Sequence, residues 1–412
     1  MAESLIGSEI IKLAGEIREK MSKGEKIYNF TIGDFDPKIF PIPEQLKSLV
    51  GQAYNEFETN YPPAEGLPEL RKEIIAFSEK NQGLKWADNE VLVAGGARPV
   101  IYAIFQCLVD AGDTVVFPVP SWNNNHYTHL SHAKQVFVET HAENNFMPTA
   151  AELAPHLNDA TLLALCSPLN PSGTVFGLEQ LTEICDLVLK INQNKKEGEK
   201  PLYLMYDQIY WPLTFGDIKH YDPINIRPEI KKYCVYVDGI SKSLAATGVR
   251  VGWAHGAAHI ISRMKSILGH IGAWAPRPEQ KAVANYLNHP DFFNFLKNFK
   301  TEVNHRLMGL HQAFQQLKKE GFLVDSIQPM AAIYLTVQFN LKGKKTADGK
   351  TLNNTKDVTA YLLDEAKFAI VPFYAFGASN ESDWFRVSVG TMKKDDSENI
   401  YLALKNALSK LS

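Results

Sequence analysis

The sequence predicts an α/β protein: a mainly parallel sheet covered by helices on both faces, joined to a smaller α+β domain. Three observations carry that prediction. From about residue 90, short apolar runs alternate with helical patterns. The runs are apolar at successive positions, as strands buried on both faces are. After about residue 290 the alternation gives way to long helices and then isolated strand-like runs.

Taken in order, EVLVAGG (90–96) reads as the first strand of the series. ARPVIYAIFQCLVDAG then sets Val100, Ile101, Ile104, Phe105 and Leu108 on one helix face, with Gly112 as its close. TVVFPVP (114–120), TLLALCSP (161–168), LYLMYDQ (202–208) and CVYVDGIS (234–241) are further buried strands. LEQLTEICDLVLKI is a second amphipathic helix, with Leu178, Leu181, Ile184 and Val188 on one side. NQNKKEGEKP (192–201) is a charged, solvated loop. FLKNFKTEVNHRLMGLHQAFQQLKKEG (295–321) is helical, while AAIYLTVQF (331–339) and WFRVSVG (384–390) are strand-like. We assign residues 46–288 to the large domain and residues 1–45 with 289–412 to the small one, because the first 45 residues precede the regular alternation. In sheets of this kind ligands collect at the carboxyl ends of the strands, in the loops that follow them.

The bulk numbers narrow the function classes. With 45% hydrophobic and 22% charged residues, the 412-residue chain has an ordinary globular composition. A net charge of −3 gives no basic excess for nucleic acid or an anionic membrane. MAESLIGSEIIKLAGEIREKM has mixed charges and an amphipathic period rather than the pattern of an export signal, and no apolar run spans a bilayer; a cytoplasmic protein is expected. Cys107, Cys166, Cys185 and Cys234 are widely spaced with no CxxC pair, so they read as reduced core thiols, with no metal site.

The stretch SKSLAATGVRVGW (Ser241–Trp253) carries the chemistry. A lysine amine at its usual pKa is protonated and a poor nucleophile; it becomes a reagent when it condenses with a carbonyl. Lys242 follows the strand CVYVDG, where a ligand is expected, and small residues after it admit close approach. Arg250, in a Gly-x-Arg-x-Gly frame, suits a phosphate. The whole string from Gly239 to Gly252 resembles the lysine signature of the class I and II aminotransferases, pyridoxal-phosphate enzymes of the aspartate aminotransferase fold, and within them the bacterial aspartate aminotransferases.

Other landmarks of that family occur in order along nearly the whole chain. The resemblance implies a seven-stranded sheet in the large domain, pyridoxal 5′-phosphate as cofactor, with Lys242 as its catalytic anchor, and the following roles. In YDQIY, Asp207 pairs with the protonated pyridine nitrogen and Tyr210 contacts the ring hydroxyl. In SPLNPSGTVF, Asn170 touches that hydroxyl and the substrate carboxylate. In AGGARP, Gly96, Ala97 and Arg98 open a helix that holds the phosphate. In PSWNNN, Trp122 stacks on the ring. In NYPPAEGLPELR, Tyr61 reaches the phosphate of a neighbouring subunit, which implies a homodimer with composite sites. Gly33, in IGDF, meets the substrate carboxylate through its backbone, and Arg386, in WFRVSVG, binds it.

Three positions depart from the pattern. Gly239 stands where many relatives carry a hydroxyl residue, and Gly95 and Ala97 stand where relatives have Ser or Thr. Phosphate binding is therefore expected to lean on backbone amides, Ser241, Arg250 and Tyr61. The implied activity moves an amino group between an L-amino acid and a 2-oxo acid. Arg98, in place of a lysine that contacts a distal carboxylate in one bacterial branch, points to aspartate and 2-oxoglutarate; Arg277, in APRPEQ, is a second anion contact to consider. The same scaffold also serves aminotransferases for aromatic or other neutral amino acids, β-lyases and decarboxylases.

Overall fold

A computed structural model describes residues 9–412, with side chains from residue 13 onward; the first residues of MAESLIGSEIIKLAGEIREKM, read above as unlike an export signal, lie outside the described residues. A short strand, β1 (Tyr28–Asn29), precedes the main series. Seven strands then form one sheet: β2 (Val91–Ala94), β3 (Thr114–Val119), β4 (Lys134–Glu139), β5 (Ala160–Cys166), β6 (Tyr203–Asp207), β7 (Cys234–Gly239) and β8 (Gly252–His255). Their order is β2-β8-β7-β6-β5-β3-β4, parallel except at β8, which runs antiparallel to both neighbours. Each central strand feeds two cores: Leu163, Leu165, Leu204, Tyr206, Cys234 and Tyr236 face one, while Leu162, Ala164, Met205, Val235 and Val237 face the other. Both faces being covered explains the continuous apolar runs.

The second sheet contains β9 (Val324–Ser326), β10 (Tyr334–Phe339), β12 (Val371–Pro372) and β13 (Trp384–Ser388), antiparallel in the order β12-β13-β10-β9; β11 (Phe368–Ala369) instead pairs in parallel with β1. Phe30, Phe35 and Phe40 join the core of this second sheet, whereas Leu46 joins that of the first. This contrast supports our proposed division at residues 45 and 46. The helix Pro290–Lys319 starts against the first core through Phe292 and continues into the second through Phe299, Val303 and Leu307.

Several expectations shift in detail. All five predicted apolar residues of the helix Ala97–Leu108 are buried, but the helix stops at Leu108 rather than at Gly112. Leu181, Ile184 and Val188 are buried on the helix Leu178–Asn194, while Leu178, at its first turn, is half exposed. Asn192, assigned above to a solvated loop, is the buried end of that helix and exchanges two hydrogen bonds with the Leu202 backbone. β4 went unread because it is an edge strand with mostly exposed side chains.

Backbone segments meet closely beneath the site. A Cβ on Gly252 would lie 2.6 Å from the Gly96 carbonyl carbon and 2.7 Å from the Ala97 nitrogen. One on Gly239 would lie 2.8 Å from the Gly252 Cα, so the hydroxyl residue found there in relatives has no room in this chain. Gly173 plays the same part between the two sheets: its φ is +73° and a Cβ there would sit 2.3 Å from the Tyr334 carbonyl oxygen. Gly173→Ala should therefore cost about 3 kcal/mol or more in urea unfolding. Gly198→Ala, at φ +87° with open space around it, should cost about 1 kcal/mol. Equal losses would contradict the close approach.

Candidate active site

A cavity of about 550 Å³ opens at the carboxyl ends of β5, β6 and β7. Cys166 and Asp207 end two of these strands, and the turn after β7 delivers Ser241 and Lys242. Ala97 and Arg98 enter from the helix start beside β8, Gly33 and Asp34 from the N-terminal segment, and Tyr334 and Arg386 from β10 and β13. The site thus lies where the two sheets face each other.

Lys242 donates from Nζ to the Gly33 carbonyl at 2.7 Å. Burial brings its pKa down to about 8; Asp34 opposes that shift, and Arg386, Arg98 and Arg250 reinforce it. Roughly a tenth of the amine is then unprotonated at pH 7, far more than for an ordinary lysine. Arg250, held at φ +60°, donates to the Thr247 carbonyl at 2.8 Å and the Gly95 carbonyl at 2.7 Å. Its guanidinium covers the bare face of Gly96, where a Cβ would come within 2.2 Å of Nη2. Asp34 accepts from Thr247 Oγ1 at 2.6 Å.

Asp207 has a single hydrogen-bond donor, the Ile209 N–H at 3.0 Å, and burial pushes its carboxyl up to about 6. Tyr210 and Tyr334 share a hydroxyl–hydroxyl bond of 2.6 Å. Arg386 is 1% exposed and lies between the Tyr334 and Phe376 rings, each centred 4.8 Å from its Cζ. It donates to Asn170 Oδ1 at 3.1 Å and to the Thr31 carbonyl at 2.6 Å, but its buried Nε has no partner. Arg98 lies over the Trp122 ring at 5.5 Å. Among the described residues, Lys242, Arg98, Arg250 and Arg386 form no ion pair with a carboxylate.

A part-buried lysine of lowered pKa, an arginine over a helix start and a second arginine with an open donor line one cavity, an arrangement whose charge suits an anionic amine or carbonyl compound. The sequence pattern of the family described as Aminotransferase class I and II matches residues 25–404. The chain belongs to this family. It is an aminotransferase, and its relatives extend along most of its length. It is 30% identical over 368 residues to a probable aspartate/prephenate aminotransferase of Rickettsia conorii, covering 89% of this chain and 87% of the relative. The crystal structure of the aspartate aminotransferase from Rhizobium meliloti superposes with a TM-score of 0.91 at 26% identity, over all of this chain and 98% of that one. The aromatic aminotransferase from Pyrococcus horikoshii shares the fold at a TM-score of 0.83, with 23% identity over 95% of this chain and 98% of that one.

Of the residues singled out in the sequence of this aminotransferase, Gly33, Ala97, Arg98, Trp122, Asn170, Asp207, Tyr210, Ser241, Lys242, Arg250 and Arg386 line the cavity. Gly96 lies just beneath it, under Arg250. Tyr61 does not reach it: the ring is 82% exposed and meets Trp274 edge-on. Arg277 is also outside, bound to Glu58 at 2.5 Å. Asp34, Thr247, Asn124 and Tyr334 line the cavity and were not read from the sequence.

The raised Asp207 carboxyl has a consequence for stability. Between pH 3.8 and about 6 the folded protein holds a proton that the unfolded chain has released, so stability falls as pH rises through that window. Asp207→Asn removes the dependence. Its stability advantage over the natural ligand-free protein should grow between pH 4 and 6 by on the order of 1–3 kcal/mol, and then level off. A flat difference across that range in urea unfolding would show that the carboxyl titrates normally.

Proposed function

We propose that this aminotransferase uses pyridoxal 5′-phosphate and exchanges amino groups between aspartate and 2-oxoglutarate, as a cytoplasmic homodimer. The observation that carries this reading is the pair of arginines without carboxylate partners, Arg386 with its open Nε and Arg98 on Trp122, on a cavity that also holds Lys242. Two separated guanidinium groups suit a substrate with two carboxylates.

The residues fit the cofactor. The Arg250 guanidinium over the bare Gly96, at the start of a twelve-residue helix, makes a cradle for a phosphate. Arg250, Ser241 and the amides of Ala97 and Arg98 would hold that group, and Tyr61 would reach the one in the other subunit. Lys242 would hold the cofactor through Nζ, with Asp207 at the pyridine nitrogen, Tyr210 and Asn170 at the ring hydroxyl and Trp122 on the ring face. Pyridoxal 5′-phosphate supplies an aldehyde that condenses with amines and an electron-poor ring that accepts the electron pair left when a Cα proton departs.

The protein's own part is positioning and proton transfer. Arg386, Asn170 and the Gly33 backbone hold the α-carboxylate, and Arg98 holds the distal one. With the cofactor bound, the Lys242 amine would serve as the base that takes the Cα proton on Nζ and the acid that delivers it to the cofactor's aldehyde carbon. Its lowered pKa keeps enough free base at neutral pH for that task. Exposed Tyr54, Phe57 and Tyr61 offer apolar area for a second copy, and four unpaired thiols suit a reducing compartment.

Protein loaded with the cofactor and given aspartate without any 2-oxo acid should lose its visible absorption band as the amine form accumulates. A response to phenylalanine alone would retain the class and overturn the assignment of Arg98, and no band at all would overturn the assignment of Lys242. Lys242→Ala should lower turnover by about 10⁴-fold or more. Arg98→Ala should raise KM for aspartate by about 10- to 100-fold, the worth of a charged hydrogen bond, and leave phenylalanine nearly unaffected.

A further inference from the structure

Tyr334 stands at the junction of both halves of the site. Its ring meets Arg386 on one side, centred 4.8 Å from Cζ, and its hydroxyl meets Tyr210 at 2.6 Å on the other. It is 1% exposed, and its position is fixed from two directions. On β10 it pairs with Ser388 of β13, and its carbonyl rests against Gly173, in the turn that begins with Asn170. The same turn supplies Asn170 Oδ1 to Arg386. The open face of Gly33 is where these groups converge: a Cβ built there would lie 2.9 Å from the Tyr334 hydroxyl and 3.5 Å from Arg386 Nη1. A carboxylate bound by Gly33 and Arg386 therefore comes within reach of the Tyr334 hydroxyl.

We propose that Tyr334 is a positioning residue that couples the two contacts: its hydroxyl donates to Tyr210 while the carboxylate position is empty, and turns to the substrate carboxylate when that position fills. The proposal rests on the cofactor assignment above. A phenolic hydroxyl carries one hydrogen, held near the ring plane in one of two orientations, so it donates to one acceptor at a time. When Tyr210 donates to the ring oxygen, a hydrogen bond from Tyr334 polarises Tyr210 and strengthens that donation. Substrate binding withdraws this support, which signals occupancy at Arg386 to the ring some distance away.

The coupling is read in the pH midpoint of the visible absorption of the loaded protein. The linkage at Lys242 is faced by Asp34 from the N-terminal segment, Arg98 from the helix Ala97–Leu108, Cys166 and Asp207 from β5 and β6, Tyr210 from the loop after β6, Arg250 from the approach to β8, and Tyr334 and Arg386 from β10 and β13. Of these, Tyr334→Phe alters only one hydroxyl and leaves every formal charge in place. A donor to the ring oxygen favours the deprotonated site, so losing its support should raise the midpoint by about half a unit. Tyr210→Phe should raise it further, and adding Tyr334→Phe to that variant should change nothing more, because the effect passes through Tyr210.

Maleate, a dicarboxylate with no amino group, should raise the midpoint of the natural protein, and raise it less in Tyr334→Phe. Additive shifts in the double variant, or a midpoint and a maleate response in Tyr334→Phe equal to those of the natural protein, would overturn the proposal while the cofactor assignment stands. Absence of a visible band in the natural protein would overturn both.

Discussion

Positive charge gathered in one cavity with no direct ion pair to a carboxylate among the described residues is the constraint on which the rest of this structure depends. Lys242, Arg98, Arg250 and Arg386 line one cavity, and the hydrogen bonds that hold three of them go mainly to backbone carbonyls: Gly33, Gly95, Thr247 and Thr31. A carbonyl satisfies an N–H but does not neutralise the charge behind it. The ligand-free state therefore carries an electrostatic cost that an anionic ligand offsets. Asp207, with one backbone donor among the described residues, is the complementary case: a desolvated carboxyl with no ion-pair partner there. The depressed lysine and the raised aspartate are two expressions of the same desolvation.

The fold creates this environment by bringing together the ends of elements distant in sequence. The carboxyl ends of β5, β6 and β7 form the floor, the second sheet brings Tyr334 and Arg386 over it, and the N-terminal segment closes one side with Gly33 and Asp34. Glycines at 96, 239 and 252 let three backbones pass almost in contact. That approach sets Arg250 over the helix start. Of the two glycines in the Gly-x-Arg-x-Gly frame, Gly252 is thus a steric requirement that lets the strand pass, whereas a Cβ on Gly248 would meet nothing within 4 Å.

Much of this was legible in the sequence, and the exceptions have physical causes. β5, β6 and β7 were plain because strands covered on both faces are apolar throughout. β4 is exposed and β8 is four residues long and begins with glycine, so neither gave a pattern. Site residues inside contiguous motifs, such as Lys242 and Arg250, could be found together. Tyr334 looked like an ordinary strand residue in AAIYLTVQF, because its neighbour Tyr210 is remote in sequence. Asp34 was passed over because its partner in the site, Thr247, is remote in sequence. Tyr61 is exposed and does not line the cavity of its own chain, which its motif alone could not reveal.

The central claim is that, among the described residues, Lys242 is the amine built to condense with a carbonyl. The most direct measurement is to add pyridoxal 5′-phosphate to the purified protein, reduce with borohydride to fix any amine–carbonyl link, digest, and locate the label by mass spectrometry. The account predicts stoichiometric label on the peptide carrying Lys242. Label spread over exposed lysines such as Lys85 or Lys23, with Lys242 unmodified, would contradict it.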